Sequence, residues 1–112
     1  MTNTGSGAVI LGALAAQAGS ATGTGAGGTQ GSITVSNSGG ALTTGNVRTN
    51  GRAKSNGGNL SLSAMGTLST GNIDTTGGTT LTSGNAGSNA GTVTLSGASV
   101  STTGSIDAYG SA

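Results

Sequence analysis

The chain contains no cysteine, histidine, proline, tryptophan or phenylalanine, and Tyr109 is its single aromatic residue. Without cysteine there are no disulfides and no thiolate metal sites. Charged residues make up 4% of the 112 residues, against about 25% in typical proteins, and the net charge is +1. Because nucleic-acid backbones are held by several clustered lysines or arginines, this charge argues against nucleic-acid binding.

The few charged side chains offer little for catalysis. Arg48, Arg52 and Lys54 lie close together in sequence without aromatic neighbours, and we interpret them as solvated surface. Asp74 and Asp107 are the only carboxylate side chains. A glycosidase needs two carboxylates that converge on a cleft, and a calcium site between coils needs more carboxylates than two. We therefore predict a non-enzymatic protein with no catalytic residues, no metal site and no cofactor.

Glycine, serine and threonine dominate what is present, with 25 glycines alone. This composition is also typical of disordered Gly/Ser linkers, which bury little apolar surface. Disordered chains usually carry high charge or many prolines, however, and this chain has neither. Its internal periodicity favours a folded protein.

One pattern is written three times, starting at residues 31, 58 and 91. The copies read GSITVSNSGGALTTGNVRTNG, GNLSLSAMGTLSTGNIDTTG and GTVTLSGASVSTTGSIDAYG. A weaker fourth copy begins at Gly7, with Val9 and Leu11 as its first aliphatic pair. A short consensus with joins of unequal length is typical of a stacked solenoid with projecting loops, and we expect this solenoid to present loops such as residues 51–57 and 84–90.

The segment before these copies is apolar and rich in glycine. Its stretch from Ala8 to Ala16 is similar to the apolar region of a signal peptide, but no lysine or arginine precedes it, and we favour a part of the fold. We divide the chain into an N-terminal coil or cap at 1–30 and solenoid repeats over 31–112. The boundaries of the repeats are 31–57, 58–90 and 91–112.

Apolar and polar residues alternate at the start of each copy, as in Ile33-Thr34-Val35. This period of two predicts strands, and the frequent glycines argue against helices. Two more aliphatic positions follow in each copy, so we expect three short strands per repeat. Since the same residue types return at the same positions, equivalent strands should stack about 4.8 Å apart in a parallel β-helix of about four coils. The predicted core ladder consists of Ile33, Val35, Leu42, Val47, Leu60, Leu62, Leu68, Ile73, Val93, Leu95, Val100 and Ile106.

Corners are predicted between the second and third strands of each copy. The corner glycines are Gly45, Gly71 and Gly104. Glycine permits the positive φ values that tight corners require. The residues that follow align as well: Asn46, Asn72 and Ser105. Stacked side-chain amides at such a position can form a ladder.

An outer ladder is predicted beside the third strand, formed by Arg48, Asp74 and Asp107. We expect Arg48 to lie above Asp74, in an exposed pair that contributes about 0–1 kcal/mol. Small polar residues should form three further outward columns. These columns are Ser32, Asn59 and Thr92; Thr34, Ser61 and Thr94; and Ser36, Ser63 and Ser96.

The stretch GNLSLSAMGTLSTGNIDTTG and its neighbours resemble the repeats of filamentous haemagglutinin-like adhesins, which belong to the two-partner secretion family of bacterial surface proteins. The resemblance covers residues 31–110. It implies an all-β, right-handed parallel β-helix, export across the outer membrane, and a role at the cell surface or in a fibre.

These observations predict a structural or adhesive β-solenoid of a bacterial surface or secreted fibre, located outside the cell. One coil cannot bury enough apolar surface to fold alone, so both open ends are candidate interfaces. The expected partners are copies of the chain or flanking coils, and a host or neighbouring cell surface. Two alternatives remain open: a fibre subunit that polymerises end to end, and a solenoid whose hydroxyl columns bind ice.

Overall fold

The structure, a computed structural model, describes residues 1–17, 30–79 and 88–110. These residues form twelve short β-strands and no helix. The strands are β1 Thr2–Asn3, β2 Val9–Leu11, β3 Leu14–Ala15, β4 Ile33–Asn37, β5 Leu42–Thr44, β6 Val47–Arg48, β7 Leu60–Ala64, β8 Thr67–Thr70, β9 Ile73–Asp74, β10 Val93–Ser96, β11 Ser99–Thr102 and β12 Ile106–Asp107.

The strands form three parallel sheets, and each sheet takes one strand from every coil. Their orders are β1-β4-β7-β10, β2-β5-β8-β11 and β3-β6-β9-β12. We refer to the strand triplets as coils 1 to 4, in chain order. The predicted parallel β-helix of about four coils, with three strands each, is therefore confirmed.

Like residues stack on like along the coils, as the repeats predict. Ile33 pairs with Leu60, and Leu60 pairs with Val93, so three aliphatic residues stand over one another. The fully enclosed core lies in coils 2 and 3. Its buried aliphatic residues are Val35, Leu42, Val47, Leu60, Leu62, Ala64, Leu68 and Ile73.

Coil 1 differs from the expected alignment of its first aliphatic pair. Val9 pairs with Leu42 and therefore belongs to the second strand of its coil, not to the first. The first strand is Thr2–Asn3, which has no aliphatic residue. The expectation is wrong because alternation alone cannot separate a first strand from a second. The five-residue step from Val9 to Leu14, which matches that from Leu42 to Val47, is the better guide.

The corner glycines are required for a different reason from the one predicted. Gly7, at φ +115°, is the one described glycine with a positive φ, and it lies outside these corners. At Gly71, a Cβ atom would lie 2.6 Å from Oδ1 of Asn46 in the preceding coil. At Gly104, it would overlap Oδ1 of Asn72. A side chain at these corners would displace the asparagine of the preceding coil and break its hydrogen bond to the backbone of the corner.

The molecule is wider across its coils than it is long along the solenoid axis. Its principal extents are 50 × 21 × 17 Å. Four coils about 4.8 Å apart span only about 15 Å from the first layer to the last, so the 50 Å dimension lies within the plane of a coil. By itself the chain is therefore not a rod along the solenoid axis.

Candidate functional site

Each complete coil is closed by a pair of hydrogen bonds between its last threonine and the glycine that starts the next coil. Thr49 Oγ1 donates to the carbonyl of Gly58 at 2.6 Å, and the Gly58 N–H donates to the carbonyl of Thr49 at 2.6 Å. Thr75 and Gly91 repeat the arrangement, at 3.2 and 2.8 Å. The first pair is 9 residues apart and the second 16. These bonds hold the threonine and the glycine together. The segment between them, which we call the join, can therefore vary in length without disturbing the sheets.

Threonine hydroxyls elsewhere in the core lack such partners. Oγ1 of Thr44 and Oγ1 of Thr70 are buried without a hydrogen bond. We therefore expect one chemical change to have opposite effects at two sites. Thr49→Val leaves the carbonyl of Gly58 without its hydroxyl donor and should lower the free energy of unfolding by about 1–3 kcal/mol. Thr70→Val removes an unsatisfied hydroxyl and should raise it by about 1 kcal/mol.

Urea unfolding of the two variants and the parent chain, followed by far-ultraviolet circular dichroism, measures both changes. Because threonine and valine have nearly the same shape, packing is matched between the two substitutions. Equal shifts of the same sign would contradict the assigned hydrogen bonding.

The join that follows coil 2 stacks on the next coil instead of projecting into solvent. The N–H of Gly51 donates to the carbonyl of Thr76 at 2.7 Å, and that of Lys54 donates to the carbonyl of Thr79 at 3.0 Å. Gly51, Ser55 and Gly57 are buried. The expectation that residues 51–57 form a freely presented loop is therefore wrong. We call 50–57, 76–79 and 88–90 together the stacked extension. In the second expected loop, at 84–90, residues 84–87 lie outside the described part.

At two glycines of this extension, backbone packs directly against backbone. A Cβ atom on Gly51 would overlap the carbonyl of Ser55 directly opposite. A Cβ atom on Gly78 would overlap the carbonyl of Arg52 in the preceding coil. Two backbone segments thus pack against each other at these glycines. Some polar side chains of the extension are buried nonetheless, namely Ser55 and Ser88. Nζ of Lys54 is buried as well, so the interpretation of Lys54 as solvated surface is wrong.

An open cleft of about 570 Å³ runs along the stacked extension and crosses all four coils. Its lining includes Gln17 of coil 1, Asn50 and Arg52 after coil 2, Thr79 after coil 3, and Tyr109 after coil 4. Arg52 is exposed, and Tyr109 is 66% exposed. The cleft thus brings together the single aromatic ring, a guanidinium and two amides, which can contact a polar partner by stacking and hydrogen bonding.

The outer ladder lies in the expected register. Arg48 is the neighbour of Asp74, and Asp74 is the neighbour of Asp107. Oδ1 of Asp74 accepts hydrogen bonds from the N–H and the hydroxyl of Thr76, at 3.1 and 2.8 Å. Asp74 therefore stabilises the turn after its own strand.

Two of the three predicted polar columns lie in strand register and face outward, and the residues of the third, Ser32, Asn59 and Thr92, are exposed. Thr34, Ser61 and Thr94 pair in sequence along the sheet, as do Ser36, Ser63 and Ser96. Their side chains are exposed or half-buried. The columns therefore form a regular hydroxyl-bearing face, on which serine and threonine are mixed.

Asparagine side chains form a ladder, but their partners are backbone groups rather than other amides. Oδ1 of Asn46 accepts from the N–H of Asn72 at 3.0 Å, and Oδ1 of Asn72 accepts from the N–H of Ser105 at 3.1 Å. Asn59 bonds the N–H of Thr92 in the same way. Each asparagine thus satisfies a backbone donor of the following coil at a corner, where strand pairing is interrupted.

A buried asparagine at the junction of coils 1 and 2 was not predicted. Asn37 is 1% exposed, and its Nδ2 donates to the carbonyls of Gly7 and Ala41 at 3.1 and 2.8 Å. Its Oδ1 accepts from Nδ2 of Asn3 and from the N–H of Gly39. The signal was present in the alternation, since Asn37 follows Ile33 and Val35 on the inward face.

The ends of the solenoid place some predicted core residues outside the buried core. Val100 and Ile106 lie in the ladder register with Leu68 and Ile73, but they are 44% and 46% exposed. Ile33, Val93 and Leu95 are partly buried against the core. The reason is geometric: residues of coil 4 are covered from one side only, and Ile33 of coil 2 has no paired strand on its coil 1 side.

The coil 1 end carries an apolar recess of about 280 Å³. It exists because β1 covers only Ser36 and Asn37 of β4, which leaves the edge of Ile33–Val35 without a paired strand. Met1 lies beside the recess, and its ammonium group donates to the carbonyl of Thr34 at 2.6 Å.

Within residues 1–17, 30–79 and 88–110, no group of three or more potential metal-binding side chains occurs. The same residues contain no helix long and apolar enough to cross a membrane. No protein-family model, curated protein or solved structure matches the chain. The resemblance to filamentous haemagglutinin-like repeats stays a prediction.

Proposed function

We propose that this chain is a structural and adhesive β-solenoid of a bacterial surface or secreted fibre, without enzymatic activity. The observation that supports the proposal best is the continuous register of three parallel sheets over four coils. Such a stack is rigid because every middle coil is hydrogen-bonded to two neighbours along its strands. Rigidity and a regular polar exterior suit a protein that holds a binding surface in place.

The cleft along the stacked extension is the surface that we assign to adhesion. It is built on backbone held by inter-coil hydrogen bonds, so the Cα positions of its residues are fixed relative to one another. Arg52 and Tyr109 are the side chains best suited to contact a target, because an arginine and an aromatic residue contribute strongly to recognition. Neither contributes to the buried core.

Adhesion of beads coated with the chain to bacterial and host cells tests this function. We expect the double variant Arg52→Ala/Tyr109→Ala to reduce bead attachment by about tenfold or more, since residues of these types often cost over 1 kcal/mol each when truncated. Met65→Ala is the matched control, because Met65 is 73% exposed at a turn away from the cleft.

Location provides the second arm of the test. Antibodies against the chain should label intact, unpermeabilised cells or the culture medium of the organism that makes it. Labelling only after permeabilisation, together with equal attachment of the parent chain and the double variant, would refute the proposed function.

A further inference from the structure

We propose that copies of this chain stack head to tail, with coil 4 of one copy against coil 1 of the next, to form an open filament. The inference rests on the proposed structural role and specifies the partner of both ends. It names a second copy because the two ends have complementary apolar rows and complementary strand edges.

Three apolar rows run the full height of the solenoid and have an apolar residue at each end. One contains Val9, Leu42, Leu68 and Val100. Another contains Leu14, Val47, Ile73 and Ile106. The third contains Val35, Leu62 and Leu95, and Met1 precedes the β1 residue that pairs with Ser36, which places Met1 level with Val35.

Continuing these rows into a second copy brings apolar residues together at the junction. Val100 meets Val9 of the second copy, and Ile106 meets its Leu14. Leu95 meets its Met1, which is 69% exposed in the single chain. β10 of the first copy also lies across the mouth of the apolar recess of the second, two layers from its Ile33. The junction thus repeats the like-on-like packing found within the molecule.

The backbone edges at the two ends also match. β10, β11 and β12 are the last strands of the three sheets, and β1, β2 and β3 are the first. All pairs within the sheets are parallel, so moving a copy along the axis brings each free edge beside the edge of the same sheet. Unpaired edges favour association with another strand, and this contact between unlike ends does not close on itself.

No like charges meet in the outer column at the junction. Asp107 of one copy would lie beside Ala15 of the next, because Ala15, Arg48, Asp74 and Asp107 share one column.

One feature of the junctions between coils 2 and 3 and between coils 3 and 4 is missing at this interface. Coils 2 and 3 carry Asn46 and Asn72 at the corner, whereas coil 4 carries Ser105, whose hydroxyl donates to Oδ2 of Asp107 at 3.1 Å. The second copy presents Ala13 at the same height, because Leu14 pairs with Val47. Ser105→Asn would supply an amide oxygen to the N–H of Ala13 and complete the ladder across the junction.

The test is sedimentation and negative-stain electron microscopy of the 112-residue chain over a range of concentrations. We expect filaments above a critical concentration. Ser105→Asn should lower that concentration by about fivefold, the effect of one additional hydrogen bond. Val100→Lys/Ile106→Lys should abolish filaments, because it places two charges on the coil 4 face. Met65→Lys, a charge at an exposed turn of coil 3, should leave them unchanged.

Mixing establishes the direction of stacking. The Val100→Lys/Ile106→Lys variant keeps its coil 1 face, so a small fraction of it should terminate growing filaments and shorten them. Dimers only, or no effect of the variant on filament length, would overturn head-to-tail stacking. A monomer at every concentration, with the parent circular dichroism spectrum, would overturn the inference but leave the adhesion test of the proposed function standing.

Discussion

Replacing Gly58 by alanine is expected to prevent folding of the chain. A methyl group at this position would overlap the carbonyl oxygen of Gly31 in the coil below and approach Cβ of Thr49 to 3.4 Å. The overlapping atom belongs to backbone and cannot turn aside as a flexible side chain could. Relief requires coils 2 and 3 to separate, which breaks the strand pairing and the hydrogen bonds between Thr49 and Gly58.

Gly12→Ala is the matched control, because a Cβ atom at Gly12 has no neighbour within 4 Å. Circular dichroism and urea unfolding should show a parent-like strand spectrum and a stability within about 0.5 kcal/mol for Gly12→Ala. For Gly58→Ala we expect loss of the strand spectrum at 25 °C. A cooperative transition near that of the parent chain would show that the coils do not approach as closely as described.

Glycine shows clearly how much of this fold can be predicted from the sequence. The positions of the corner glycines were predictable from the repeats, but their physical role was not. Positive φ is a property of one residue, whereas the constraint at Gly71 comes from Asn46, 25 positions earlier in the chain. Such a constraint becomes visible only when the coils are placed over one another.

The core rows were predictable for a different reason. Alternation identifies the inward face of a strand, and equivalent positions of the repeats identify which residues stack. Thr49 and Thr75 follow the same rule, since each lies two residues after an inward aliphatic residue. Their hydroxyl partners were not predictable, because Gly58 and Gly91 reach them only after the join has folded back.

The stacked extension shows where composition reaches its limit. A join rich in glycine, serine and asparagine can project as a loop or stack as backbone on backbone. Composition does not distinguish these two conformations. Here the stacked conformation requires a glycine at position 51, because a Cβ atom there would overlap the carbonyl of Ser55. Tyr109 and Arg52 come together in the cleft for the same reason, although they are far apart in sequence.

Truncating Leu62 is expected to be far more costly than truncating Leu95, although the two leucines are neighbours in one row. Leu62 is completely buried in coil 3, between Val35 and Leu95. Leu62→Ala leaves a cavity that neighbouring coils cannot fill without losing register, so we expect a loss of about 3–5 kcal/mol. Leu95 is covered from one side only, and Leu95→Ala should cost about 1–2 kcal/mol. Urea unfolding in dilute solution measures both.

The same pair of variants connects stability with assembly. When copies stack, Met1 of the next copy covers Leu95, so the contribution of Leu95 should increase with protein concentration. Leu62 is already enclosed and gains no new contact on stacking, so its contribution to stability should not increase with protein concentration. Thermal unfolding below and above the critical concentration for filaments separates these effects. If the cost of Leu95→Ala is the same at both concentrations, the coil 4 face stays uncovered. If Leu62→Ala costs no more than Leu95→Ala, coil 3 is not enclosed.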